Sequence, residues 1–179
     1  KNDMKNFKEL TIGNGNNAVI MGKKTYESLK IKNLPNRDNL ILSTTLNINI
    51  INNNNNNNNI TKTFNNIDLL EKFVFKKNYT DIWIIGGEKI YNYFINEYNN
   101  SILNIDNIYI TYIEKEYICD TYFPSLNTDK YIFVSKYIME SITLEDTIEN
   151  SIENSIENTI NKKYNIYNIL YKSNKFYKS

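Results

Sequence analysis

Two glycine-bearing segments hold the residue types best suited to bind a phosphorylated ligand. Gly86 and Gly87 follow the apolar run DIWII and precede the helix-like run EKIYNYF. Glycine lets backbone approach a ligand closely, and a helix start favours a phosphate. Gly22 follows a second apolar run, AVIM, and Lys23, Lys24 and Thr25 come directly after it. Two ammonium groups and a hydroxyl at a helix start suit phosphate oxygens. Each segment taken alone reads more simply as an ordinary strand-to-helix turn. Both stand at the carboxyl ends of predicted strands, where open α/β sheets bind ligands, and that coincidence raises the pair above either one. Neither is a Rossmann fingerprint, because no third glycine follows at the required spacing.

Composition narrows the chemistry further. With no His and one Cys in 179 residues, a His-based triad, an HExxH metal site, zinc fingers and an internal disulfide framework are excluded. Twenty-one Lys and Arg against twenty Asp and Glu give a net charge of +1, so no polyanionic partner such as nucleic acid is implied. No run approaches the roughly 20 apolar residues that span a bilayer, and the start KNDMKNFK leads into no signal-peptide core. The expectation is a soluble, cytoplasmic chain without a membrane partner. Asn supplies 35 residues and Ile 29, against a single Ala, a bias in keeping with an AT-rich coding sequence.

These segments need a scaffold, and the hydrophobic pattern supplies one. Residues 3 to 11 predict a short helix with Asp3 in its first turn, Met4 and Phe7 following at helical spacing. Strands are predicted at 18–21, 40–44, 81–85 and 107–113, with helices after Gly22, over 67–77 and over 88–98. YIFVSKYI at 131–138 and YNIYNILY at 164–171 predict an antiparallel pair. Eight consecutive Asn at 52–59 have no hydrophobic period, and the stretch 47–63 reads as an insertion. A second one spans 143–163, where Ile148, Ile152, Ile156 and Ile160 recur every four residues, a period that drifts around a helix. The fold class is α/β, a mixed, mostly parallel sheet with helices on both faces and a C-terminal antiparallel hairpin, in one domain.

In order and spacing, NAVIMGKKTYESL at 17–29, LPNRDNLILS at 34–43, IWIIGGEKIY at 82–91, IYITYI at 108–113 and CDTYFP at 119–124 resemble the dihydrofolate reductases, and DMKNFK at 3–8 resembles their first substrate-contacting helix. The resemblance implies reduction of 7,8-dihydrofolate to tetrahydrofolate by NADPH. It makes Asp3 the acid that holds the pterin 2-amino group and N3. Met4 and Phe7, with Leu29 and Leu34 opposite, become pocket walls, and Arg37 becomes the clamp on the glutamate-tail carboxylate. Ile85 and Tyr91 would stand beside the nicotinamide and the pterin, and Thr111 would support the catalytic acid. On the cofactor side it implies Gly22, Lys23, Lys24 and Thr25 at the adenine-side phosphates, Ser43 and Thr44 near the 2′-phosphate, and Gly86, Gly87, Glu88, Lys89 and Ile90 at the pyrophosphate, where the family has a cis Gly-Gly bond. Asp120 would anchor a loop, with Cys119 a buried thiol.

The start departs from the family pattern. Members have a central strand and a Trp-bearing loop before the first helix, and neither precedes Asp3 here. The chain therefore reads as an N-terminally incomplete piece of a longer polypeptide, a monomeric domain or one fused to thymidylate synthase, as is common in protists with similar Asn-rich inserts. The alternatives are a folate- or nucleotide-binding module without turnover and an interaction protein using the Ile-every-four segment.

Overall fold

The computed structural model describes residues 2–48, 51–52, 59–97, 103–146 and 160–173. NAVIMG forms β1 (Asn17–Gly22), in which Ala18, Val19, Ile20 and Met21 are fully buried. Such burial contributes ~1.5–3 kcal/mol for each large apolar side chain. A strand hidden on both faces and paired on both edges reads as a continuous apolar run. β1 pairs in parallel with β2 (Asp38–Leu42) on one edge and with β5 (Asp81–Gly86) on the other. β2 in turn pairs in parallel with β4 (Ile60–Phe64), which carries a short antiparallel partner, β3 (Ile51–Asn52).

Alternation along β1 splits the core in two. Ala18 and Ile20 join Leu40, Phe64, Leu70, Val74 and Phe94 on one face. Leu70 and Val74 come from α3 (Ile67–Lys77), and Phe94 from a π-helical turn, Tyr93–Glu97, that continues α4 (Glu88–Asn92). Val19 and Met21 join Ile41 and Tyr26, the latter from α2 (Lys23–Ser28), on the other face. α3 starts where Asn66 Oδ1 accepts the Leu69 N–H at 2.9 Å and stops at Asn78 in the left-handed region, φ 50°.

The contacts divide the chain into two units. The first, Asp3–Ile105 with Asp120–Leu126, holds this five-stranded sheet, of order β3-β4-β2-β1-β5, and α1 (Asn2–Ile12). The second, Asp106–Cys119 with Asn127–Ser179, holds a three-stranded antiparallel sheet. There β8 (Ile160–Ser173) lies between β6 (Asn107–Ile113) and β7 (Tyr131–Asp146). The α/β class, the mostly parallel mixed sheet with helices on both faces and the C-terminal antiparallel hairpin are thus as expected.

Three differences are instructive. The stretch 47–63, expected as an insertion, contains β3 and the first four residues of β4. In ITKTF Ile60, Thr61 and Phe64 are buried, but three polar residues in a row, Thr61 to Thr63, make it a weaker signal than the neighbouring Asn run. Likewise β7 and β8 each extend into 143–163, and the isoleucine repeat at 148–156 falls outside the described residues. Cys119 is exposed rather than buried. Among the described residues, β5 pairs with β1 alone, and its Ile82, Trp83, Ile84 and Ile85 are only half-buried where β1 is sealed.

Candidate active site

The two glycine turns, far apart in sequence, end adjacent strands. Met21 stands in register with Gly86 across β1 and β5, so Gly22-Lys23 and Gly86-Gly87 leave the sheet side by side at its carboxyl edge. A Cβ on Gly87 would stand 3.3 Å from Thr25 Oγ1, and one on Gly22 would stand 3.1 Å from Ile90 Cγ1. Gly86 takes φ +107°, and a Cβ there would meet the Tyr91 ring at 2.9 Å. Only glycine fits that position, for conformation and for space. The Gly86–Gly87 peptide is cis. The Gly87 carbonyl accepts the N–H of Ile90 at 2.9 Å and of Tyr91 at 3.0 Å, which closes the first turn of α4 and sets Glu88 and Lys89 at its start.

Tyr91 is held from the far side by Phe123, ring centroids 5.1 Å apart, and burial pushes its phenol above the usual range. Phe123 belongs to the segment that begins at Asp120. That carboxyl is exposed and is held below its usual range first by the Thr121 hydroxyl, which donates at 2.7 Å, with Lys24 adding a smaller attraction.

Lys23 Nζ is already engaged. It donates to Thr45 Oγ1 at 3.1 Å and lies 3.7 Å from the Glu27 carboxylate. Ser43 Oγ accepts the N–H of Thr45 at 3.2 Å and of Leu46 at 2.9 Å, folding the chain after β2 and leaving its own proton to donate. Ser43 and Thr44 line a cavity of about 620 Å³ with Thr45, Lys62, Phe64 and Phe73 among the other walls.

On the other core face, Leu29, Leu34 and Ile85 pack around Val19, Met21 and Ile41, bringing three of the expected substrate contacts to one surface. Arg37 is 2% exposed. Its Nη1 donates to Thr11 Oγ1, its Nε donates to the Pro35 carbonyl at 3.0 Å, and its guanidinium lies 6.0 Å from the Phe7 ring. No carboxylate among the described residues pairs with it, and burial lowers its proton affinity from the usual arginine value. Thr11 therefore ties α1 to the sheet at the helix's C-terminal end, where the Thr11 carbonyl also accepts Asn17 Nδ2 at 3.3 Å. Asp3 is half-buried in the first turn of that helix, whereas Met4, expected as a wall, is 65% exposed. Thr111 lies in the second unit, on β6, with its hydroxyl 3.4 Å from Asn168 Oδ1.

Sequence reasoning overlooked Lys62, Phe73 and Thr45. No alternation marks Lys62, because it stands between two threonines just after the asparagine run.

The family description "Dihydrofolate reductase" matches residues 1–154. The chain belongs to the dihydrofolate reductase family. Among curated relatives, a Plasmodium berghei bifunctional dihydrofolate reductase-thymidylate synthase is 37% identical over 144 residues, 75% of this chain and 24% of that protein. A Schistosoma mansoni dihydrofolate reductase is 35% identical over 136 residues, 73% of this chain and 68% of the relative. That of Sus scrofa is 29% identical over 143 residues, 76% and 72% respectively. The chain thus spans about a quarter of the bifunctional relative and roughly two thirds of the monofunctional ones. Among the described residues, no helix is long and apolar enough to cross a membrane, and no cluster of His, Cys, Asp and Glu could hold a metal ion.

Proposed function

We propose that the protein containing this chain reduces 7,8-dihydrofolate to 5,6,7,8-tetrahydrofolate with NADPH. The observation that carries the reading is the juxtaposition of the two glycine turns at the carboxyl edge of β1 and β5, with Gly87 against Thr25. The absent Cβ atoms let the two turns pack against each other at the carboxyl edge of the sheet, where open α/β sheets take nucleotides, and with two lysines and a hydroxyl beside them the residues present fit a dinucleotide. Gly22, Lys23, Lys24 and Thr25 would hold its adenine-side phosphates, Gly86 to Ile90 its pyrophosphate, and Ser43 and Thr44 its phosphorylated ribose. NADPH, when bound, supplies the hydride that reaches pterin C6, while a proton is added at N5.

The remaining work falls to the chain's own side chains. The two oxygens of Asp3 match the paired donors of the pterin edge and orient the ring, with the N5 proton arriving through water where the carboxylate does not reach. Phe7, Leu29, Leu34 and Ile85 form the apolar walls, with Met4 at the mouth, and Tyr91 backs the turn beside the ring. Arg37, buried without an acid partner, is matched to the tail carboxylate. The resemblance to the Plasmodium protein extends the reading to a longer polypeptide that carries a thymidylate synthase.

The test is oxidation of NADPH by dihydrofolate, with NADPH binding measured separately, using the protein as it is encoded with whatever flanks this chain. Turnover that requires both compounds supports the reading. Binding without turnover would leave a folate- or nucleotide-binding module instead, and loss of both would overturn the assignment.

A further inference from the structure

The cavity beside Ser43 and Thr44 has a cation that neither the motifs nor the resemblance assigned. Lys62, on β4, holds its ammonium 4.9 Å from the Phe73 ring centroid and 5.1 Å from that of Phe64, and the two rings are themselves 5.2 Å apart. Two aromatic faces fix an ammonium by attraction to their π-clouds and neutralise none of its charge. The ion pairs Lys5–Glu9 and Lys23–Glu27 do not involve Lys62, and among the described residues that line the cavity none is a carboxylate. Lys72 and Lys76, one helical turn apart on α3, line the same cavity, and neither is in those pairs.

Lys23, which with Gly22, Lys24 and Thr25 the resemblance puts at the adenine-side phosphates, already has partners of its own. Its ammonium is shared between Thr45 and Glu27, and it does not line the cavity. The same cavity is lined by Ser43, whose hydroxyl proton is left to donate, and by Thr44 and Thr45. A volume of about 620 Å³ is within the range that takes a nucleoside.

The geometry points to Lys62 as the residue that distinguishes a phosphorylated from an unphosphorylated adenosine end of the dinucleotide, its ammonium and the Ser43 hydroxyl binding the ribose phosphomonoester while Lys72 and Lys76 add attraction from the rim. This inference rests on the dinucleotide reading above. An unpaired cation pre-positioned by two rings needs no rearrangement to accept a phosphate, whereas Lys23 would first have to give up Glu27.

The experiment compares dissociation constants of NADPH, NADH and adenosine 2′,5′-bisphosphate, by titration calorimetry, for the wild-type protein, Lys62→Gln, Lys62→Arg and Lys23→Gln. The expected result is a roughly tenfold or greater weakening of NADPH and the bisphosphate in Lys62→Gln with NADH little changed, which is about 1.4 kcal/mol. Lys62→Arg keeps the charge over the rings and should restore most of the preference, which separates the effect from a packing defect. Wild-type binding of NADPH with the preference intact in Lys62→Gln, or lost only in Lys23→Gln, would overturn the assignment and leave the dinucleotide reading standing. Failure of the wild type to bind either dinucleotide would overturn both.

Discussion

Tyr79 Oη donates a hydrogen bond to Asp38 Oδ2 at 2.5 Å, which joins the residue two before β5 to the first residue of β2. The other oxygen of the same buried carboxylate accepts the Ile60 N–H at 2.8 Å, so one side chain fixes the amino-terminal ends of β2 and β4 and the entry to β5. Tyr79→Phe would leave Asp38 Oδ2 buried without its donor, and the expected cost is about 1–3 kcal/mol, read as a lower urea midpoint.

The same bond has a pH signature. Burial first, then the hydrogen bond and charge of Asp38, raise the Tyr79 phenol above its ordinary value of 10.0. Because the folded state keeps this proton longer than the unfolded chain does, the contribution is complete below about pH 10 and declines as the pH rises past it. Tyr26, Tyr91 and Tyr131 are raised by burial too, so wild-type stability should fall in alkali for several reasons. The part due to Tyr79 is the difference in slope between wild type and Tyr79→Phe across about pH 9 to about pH 11. Equal slopes would show that the bond does not govern the titration.

Arg37 offers a test of the substrate reading that does not depend on turnover. Arg37→Met should weaken a folate analogue with a glutamate tail by roughly 10–100-fold, the scale of a charge-assisted pair. An analogue that lacks the tail should bind almost as before. If both weaken equally, the side chain serves only to hold Thr11 and α1 in place.

Asp3→Asn retains the shape and one acceptor oxygen but removes the charge that matches the pterin edge. Turnover should drop by about 10²-fold or more in the active protein, with NADPH affinity unchanged. An unaltered rate would remove Asp3 from the reaction.

Gly86→Ala meets two obstacles together, the φ of +107° and the Tyr91 ring at 2.9 Å. Its expected cost is about 1–3 kcal/mol, with loss of dinucleotide binding. Gly87→Ala meets only the Thr25 hydroxyl at 3.3 Å and should fold better while still binding poorly. Thermal melts and NADPH titrations on the pair separate backbone strain from a blocked approach.

Much of the scaffold was legible because β1 and β5 each carry a run of four apolar residues that ends on glycine. β4 was not legible, since ITKTF is half polar and its parallel partner β2 lies across the asparagine stretch. The adjacency of Gly22 and Gly86 needed the strand order, which periodicity does not encode. Arg37 was found by resemblance, but its burial and its bond to Thr11 depend on how α1 returns to the sheet. Met4 shows the limit of helical spacing, which names a face and not its cover. Lys62 escaped because a lone lysine in a strand usually signals solvent, whereas here two rings from β4 and α3 surround it.

The short ladder of β3 on β4 bears on how such a gene can change. Ile51 pairs with Thr61 and Asn52 with Ile60, so the tract leaves and rejoins the sheet at neighbouring points on its outer rim, with β4 and β2 standing between that rim and sealed β1. Slippage that adds or deletes asparagine codons between those anchors alters neither the ladder nor any core contact described above. Tract length should therefore differ among isolates under little selection, while a single codon change at Gly86 is purged.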